Sequence, residues 1–333
     1  MAHDVLIAGA LFPDVPSVQF PDSQQQWHSF TDVSDTTAAA ADVAQGKVFY
    51  DAQGTLTQGT ASGGGGGDAD LKGLIERTVT TMTLPSDLTA VGDSAFRGCA
   101  NLSLDSLPSG VTVIGQNAFS GCSSLSLTSL PSGVTSIGLS AFYGCSSLAL
   151  TSLPSGVTSI GSSAFQGCTN LALTSLPSGM TDIATTTFRS CTSLALTSLP
   201  DSVSNIGANA FYDCSSLALT KLPSSLTAVN GCFQNCTSLT SLDVPQSVAN
   251  IYANSFYGCS NLTTMVLRRT SFVALANVSA FSNTPMRGYG GLSGTIYVPS
   301  ALINTYKTAT NWKTIFNAGY LTFAAIEGSE WEL

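Results

Sequence analysis

The sequence predicts a repeat solenoid in which units of 22–23 residues stack through short parallel β-strands joined by turns or short helices, preceded by a small α+β module. Three observations carry that prediction. Cys99, Cys122, Cys145, Cys168, Cys191 and Cys214 stand 23 residues apart, and Cys236 and Cys259 follow at 22 and 23. Phe96, Phe119, Phe142, Phe165, Phe188, Phe211, Phe233 and Phe256 each precede their cysteine by three residues. Between these landmarks one phrase returns, L-P-S-G-V-T-x-I-G-x-x-A-F-x-G-C-x-x-L-x-L-x-x-L-P, with every apolar letter in the same place.

A unit with about six large apolar side chains gains roughly 1.5–3 kcal/mol from each on burial, against about 1–2 kcal/mol of backbone entropy for every residue ordered. One unit therefore cannot fold alone. Stacked units share a continuous core, with equivalent strands about 4.8 Å apart where they pair. In LALTSLP, Leu148 and Leu150 are two apart, which suits a short parallel strand that Pro154 ends. VTSIG is a second extended segment, SAFYGC is a helical or tight turn that plugs Phe142 into the core, and Gly138 and Gly144 mark the bends. The seventh unit moves its apolar residues to Leu239, Leu242 and Val244, a phase change that re-aims the strand faces.

Charged residues make up 9% of the chain, against roughly 25% in a typical soluble protein, so the surface must be built largely of hydroxyls and amides. A net charge of −9 with only 11 Lys and Arg argues against nucleic acid, whose binding rests on neutralising phosphates, and against an anionic membrane surface. No stretch approaches the ~18 apolar residues of a membrane span. The N-terminal DVLIAGALF has no basic segment before it and runs into PDVP, so no signal peptide is expected, and assembly is expected in the cytoplasm.

The repeated phrase resembles the BspA-like leucine-rich repeats of bacterial surface proteins and of phage and prophage tail proteins. The resemblance covers residues 78–265, with the repeat domain taken to 294, because Ile-Gly, Ala-Phe, Gly-Cys, Leu and Leu-Pro fall at the family's spacings. It departs at Thr187, which stands for Ala, at Ser190 and Asp213, which stand for Gly, and at VNGCFQNC, which is one residue short and adds Cys232. The stack is expected to bend or loosen there. The cysteines read most simply as small, soft core residues in a ladder of free thiols, with bridges between stacked neighbours as the alternative. A metal is not expected, since no C-x-x-C pair exists and His3 and His28 lie far off in sequence.

The ends are a different text. SDTTAAAADVAQGK carries an N-cap at Asp35 or Thr36 and a stop at Gly46, and KVFYDAQGTLTQGT reads as a hairpin turning at Gly54. With LIAGALFPDVPSVQFPD, this segment resembles the N-terminal module of phage and prophage tail-fibre and receptor-binding proteins. That resemblance implies a virion-attachment module over residues 1–62, held to a tail, baseplate or other virion protein. Five glycines at 63–67 form a flexible joint. Residues 68–77, with Leu71, Leu74 and Ile75 on one face, read as a helix sealing the first repeat. Residues 295–333 resemble the closing segment of BspA-like domains, a last strand and a helix carrying Tyr306 and Trp312. Trp331 has no role in this reading.

No catalytic constellation is present: both histidines lie in the N-terminal module, and G-x-S-x-G, H-E-x-x-H and the P-loop are all missing. GYGGLSG at 288–294 has no Lys and reads as a surface turn. A non-enzyme without cofactor is expected. The varying letters are more informative. The slot between Phe and the Gly-Cys step holds Arg97, Ser120, Tyr143, Gln166, Arg189, Tyr212, Gln234 and Tyr257, of which the Tyr and Arg are types favoured at recognition surfaces, although an exposed slot also tolerates variation without any ligand. Thr128, Thr151, Thr174, Thr197 and Thr220 form a second stripe, read as a sheet face. Arg287 and Tyr289 in TPMRGYGG form a third candidate at the distal end. Together with the resemblance, these residues imply a virion-borne protein that contacts a bacterial surface receptor, and tail fibres suggest a homo-oligomer, a trimer by preference.

Overall fold

A computed structural model describes residues 77–332 throughout, and before them three antiparallel strand pairs. The pairs are β1 (His3–Ile7) with β2 (Ala10–Val15), β3 (Gln19–Pro21) with β4 (Trp27–Ser29), and β5 (Gly46–Tyr50) with β6 (Leu56–Thr60). The last is the expected hairpin. Its turn, the expected helix after residue 35, the pentaglycine and residues 68–76 of the expected capping helix lie outside the described residues.

The repeat body winds as a solenoid. In each unit the x-I pair of V-T-x-I forms a two-residue parallel strand: β7 (Ala90–Val91), β8 (Val113–Ile114), β9 (Ser136–Ile137), β10 (Ser159–Ile160), β11 (Asp182–Ile183), β12 (Asn205–Ile206) and β13 (Ala228–Val229). SAFYGC is a tight turn, not a helix. Its alternate N–H groups donate to the next unit, as Ser140 to Ser162 O (2.9 Å), Phe142 to Ala164 O (2.8 Å) and Gly144 to Gln166 O (2.7 Å). Inside the turns the phenylalanines stack, with ring centroids 5.2–5.8 Å apart from Phe96 to Phe281. Phe281 makes this a column of nine rings, and the S-A-F at 279–281 marks a ninth unit beyond the eight expected.

All nine cysteines are free and buried, as the ladder reading expects. Each thiol from Cys122 onward in the main ladder donates to a phenylalanine carbonyl of the preceding unit; Cys145 Sγ lies 3.0 Å from Phe119 O and Cys259 Sγ 3.0 Å from Phe233 O. The hydroxyls behave likewise. Ser146 Oγ donates to Ser123 O, Thr169 Oγ1 to Ser146 O and Thr192 Oγ1 to Thr169 O, so a surface poor in charge satisfies its polar atoms unit to unit.

Gly144 sits at φ +71°, as a bend requires, but Gly138 has another task. A Cβ on Gly138 would stand 2.7 Å from Gln116 N, and one on Gly161 2.5 Å from Leu139 N. The glycine after each Ile lets consecutive backbones close. Where it is present in the first six units the strands form ladders, β7-β8-β9-β10 and β11-β12; in the fifth unit Ala184 occupies the place, and the ladder breaks between β10 and β11, whereas in the last units strands pair again although Tyr252 and Ala276 stand there. Thr187, buried in the Ala column with its hydroxyl on Ala184 O at 2.8 Å, adds bulk to the same seam. A second break falls between β12 and β13, where the short seventh unit carries Asn230 in the glycine place. The turn side stays bonded across both seams. Ser190 (φ +59°) and Asp213 (φ +58°) keep the left-handed conformation of the glycines they replace, so those two substitutions leave the turn as it is.

LALTSLP is not a regular strand in units one to six. Leu150 and Leu153 are three apart, which turns Thr151 and Ser152 outward together and breaks the two-residue period, leaving isolated bonds such as Ala149 N–H to Leu127 O. The phase change in unit seven restores alternation. There β14 (Ser241–Val244) starts a parallel sheet; after β15 (Asn250–Ile251) on the other side, the sheet runs on through β16 (Thr264–Leu267) and, past β17 (Ala274–Leu275), through β18 (Gly294–Val298).

The closing segment is longer than one strand and one helix. α1 (Ile303–Thr308) carries Tyr306, α2 (Thr310–Phe316) carries Trp312, and β19 (Leu321–Ala325) pairs parallel with β18. Both rings are fully buried; Tyr306 OH accepts from Val273 N–H and Trp312 Nε1 donates to Val273 O, each at 2.9 Å. Trp331 gains a role here: its carbonyl accepts from Arg268 Nη1 at 3.0 Å, while Arg268 Nε holds Asp243 at 2.8 Å.

The close approach of consecutive backbones makes two substitutions informative. Gly161→Ala is expected to cost about 1–3 kcal/mol in chemical denaturation, because the new methyl meets backbone rather than a yielding side chain. Ala184→Gly is expected to be neutral or stabilising despite the roughly 0.5–1 kcal/mol that a flexible glycine costs. Burial raises every thiol pKa, with Cys232 and Cys259 pushed up to about 12. For Cys232 and Cys259 only the unfolded chain then releases thiol protons between about pH 9 and 12, so stability should fall over that range by up to about 1.4 kcal/mol per such thiol and pH unit. Unfolding of the reduced protein across that range, with a thiol reagent silent until the chain unfolds, checks both statements.

Candidate functional site: the outer column of the turns

The turn that drives Phe inward turns its neighbour outward. In the third unit Ala141 and Phe142 are fully buried, while Tyr143 is 44% exposed. Because each slot residue's carbonyl accepts the N–H that follows the previous slot (Gly121 to Tyr143 O, 2.6 Å; Gly167 to Arg189 O, 2.8 Å), the slots lie one above another in register. The structure thus brings Arg97, Tyr143, Gln166, Arg189, Tyr212, Gln234 and Tyr257 into one column with Ser120, all exposed or half-buried.

The column divides by how its side chains are engaged. Arg189 places its guanidinium 4.8 Å from the centroid of the Tyr212 ring. Gln234 Nε2 donates to Asn209 Oδ1 at 2.7 Å, and Tyr257 OH accepts from Asn283 Nδ2 at 3.1 Å. The upper half is therefore braced. Ser282 occupies the slot of the ninth unit, and Arg287 Nη1 donates to its hydroxyl at 2.9 Å, which joins the distal loop to the column. Tyr289 is exposed on that loop, and Tyr320 packs over Gly288, where any Cβ would stand 2.7 Å from its ring.

Within the repeat units, two exposed large apolar side chains had no mark in the sequence reading. Leu139 (44% exposed) and Tyr252 (40%) stand at the start of their turns, in places otherwise given, respectively, to small or polar residues and to glycine, Ala184 or Asn230 among the first seven units. A comparison of equivalent positions between units would have shown both. The threonine stripe is exposed and lies on the irregular segment rather than on the expected sheet face. Among the described residues, no group of three or more His, Cys, Asp or Glu is arranged to hold a metal ion, and no helix is long and apolar enough to cross a membrane.

Stacked turns with an inward Phe–Cys ladder and an outward variable column define a leucine-rich repeat solenoid. A family model, the BspA type leucine-rich repeat region, matches in six copies across residues 76–195 and 181–290, and the chain belongs to that family. Among solved structures it is similar to a leucine-rich repeat protein from Bacteroides ovatus (22% identity, 84% of this chain and 91% of that one, TM-score 0.36). It is also similar to a T. pallidum leucine-rich repeat protein (29%, 74% and 90%, TM-score 0.39) and a leucine-rich cell surface protein from Faecalibacterium prausnitzii (24%, 71% and 82%, TM-score 0.34). No curated protein matches the chain.

The brace between Arg189 and Tyr212 is expected to be worth about 0.5–1 kcal/mol, the range of an exposed cation–π pair. A double-mutant cycle of Arg189→Ala and Tyr212→Ala on unfolding free energy measures it.

Proposed function

We propose that the chain is a non-enzymatic receptor-binding protein of a phage tail, held to the particle through residues 1–62 and contacting a bacterial surface glycan or protein through its repeat domain. The observation that carries the contact is the column: aromatic, basic and amide side chains in register on the outside of a rigid stack. Such residues bring large contact area and directional hydrogen bonds with few torsions to freeze. The attachment role rests on the resemblance of residues 1–62 to tail-fibre modules, and a homo-oligomer, with three copies preferred, goes with that setting. The likeness of the repeats to those of bacterial surface proteins favours a second reading, an adhesin displayed by the bacterium itself.

Fluorescently labelled full-length protein, incubated with a panel of gut and oral bacteria, tests the contact. Strain-selective binding that falls when Tyr143, Tyr212 and Tyr257 are together replaced by Ala supports it, whereas absence of binding to every strain contradicts it. Antibody labelling of purified phage particles against intact producer cells separates the two settings.

A further inference from the structure

The lower half of the column holds a patch that nothing among the described residues engages. Leu139 opens the third turn and Tyr143 closes it, on either side of the buried Ala141 and Phe142, and both are 44% exposed. Asn117 N–H donates to Leu139 O and Ser140 N–H to Ser162 O, which sets Gln116 and Ser162 on either side of Leu139; the slot bonds set Ser120 and Gln166 on either side of Tyr143. This two-by-three grid contains no charged side chain. Charge returns at its borders, with Asp93 and Arg97 one unit before and Arg189 one unit after. Unlike Arg189, Tyr212, Gln234 and Tyr257, Tyr143 has no side-chain partner among the described residues.

Leu139 is the informative residue. Its column otherwise reads Asp93, Gln116, Ser162, Thr185 and Ala208, and burial does not explain a large apolar side chain in that place. Building on the column as the recognition surface, we infer that the grid centred on Leu139 and Tyr143 is a subsite for a neutral, hexose-containing glycan. A tyrosine ring offers an apolar face to the C–H side of a pyranose, the leucine widens that face, and flanking amides and hydroxyls pair with sugar hydroxyls without the desolvation cost of a charge. An anionic polysaccharide would gain nothing here, because the grid supplies no cation.

The test uses the labelled full-length chain on a strain it binds, read by flow cytometry. Tyr143→Ala should weaken binding about tenfold or more and Leu139→Ser should weaken it measurably, whereas Tyr143→Phe should keep it. Mild periodate oxidation of the cells should abolish binding, and protease treatment or ~0.5 M salt should leave it. Binding unchanged in Tyr143→Ala but lost in Tyr212→Ala overturns the subsite while leaving receptor binding intact. Loss on protease treatment, or loss in salt, overturns the neutral glycan. Failure to bind any strain removes the broader reading along with the subsite.

Discussion

The contact between one Phe–Cys turn and the next sets the geometry of the repeat body. Phe142 lies 5.4 Å from Phe119, Cys145 donates its thiol proton to Phe119 O, and Gly144 N–H reaches forward to Gln166 O. Ring, thiol and amide all require the same register. A unit one residue out of step would leave a buried carbonyl without its donor, and a stranded buried polar group costs about 1–3 kcal/mol. This is why the three-residue step from Phe to Cys holds through eight units, the short seventh included, where Cys236 still donates to Phe211 O at 3.1 Å, and why a neutral thiol, kept protonated by burial, serves where a larger polar group would not fit.

The outer surface inherits its order from that inner contact. No side chain in the slot has to find its own position, because the turn beneath it fixes the backbone, and variation between Arg, Tyr, Gln and Ser costs the core nothing. The strand side tolerates seams at Ala184 and Asn230 because the turn side remains bonded across them. The core contact and the varying exposed side chains thereby lie on opposite sides of the same short turn.

Much of this was legible in the sequence, since a periodic residue shows its role by recurring. The inward Phe and Cys, the outward slot and the phase change at Leu242 and Val244 were all read correctly. What escaped was interaction between units that leaves no periodic trace in one unit. Gly138 looked like a bend but is a place of close approach, and Ala184 was unremarked because one methyl is a small change until a backbone stands 2.5 Å from where it must go, as Gly207 shows against Thr185 N. LALTSLP looked like a strand because Leu148 and Leu150 alternate; the odd step to Leu153 mattered more. Phe281 was missed because the preceding unit is longer, and Trp331 because its partners, Arg268 and Tyr297, come from other units.

The most direct measurement is disulfide trapping along the outer column. Adjacent slots are one strand spacing apart, within the Cα separation of about 4.4–6.8 Å that a disulfide requires, and alternate slots are about twice that. The full-length chain carrying Tyr143→Cys with Gln166→Cys should therefore cross-link under mild oxidation, its native thiols being buried, while Tyr143→Cys with Arg189→Cys should not. Cross-linking of the second pair, or failure of the first in a folded protein, would contradict the stacking on which both the fold and the proposed recognition surface rest.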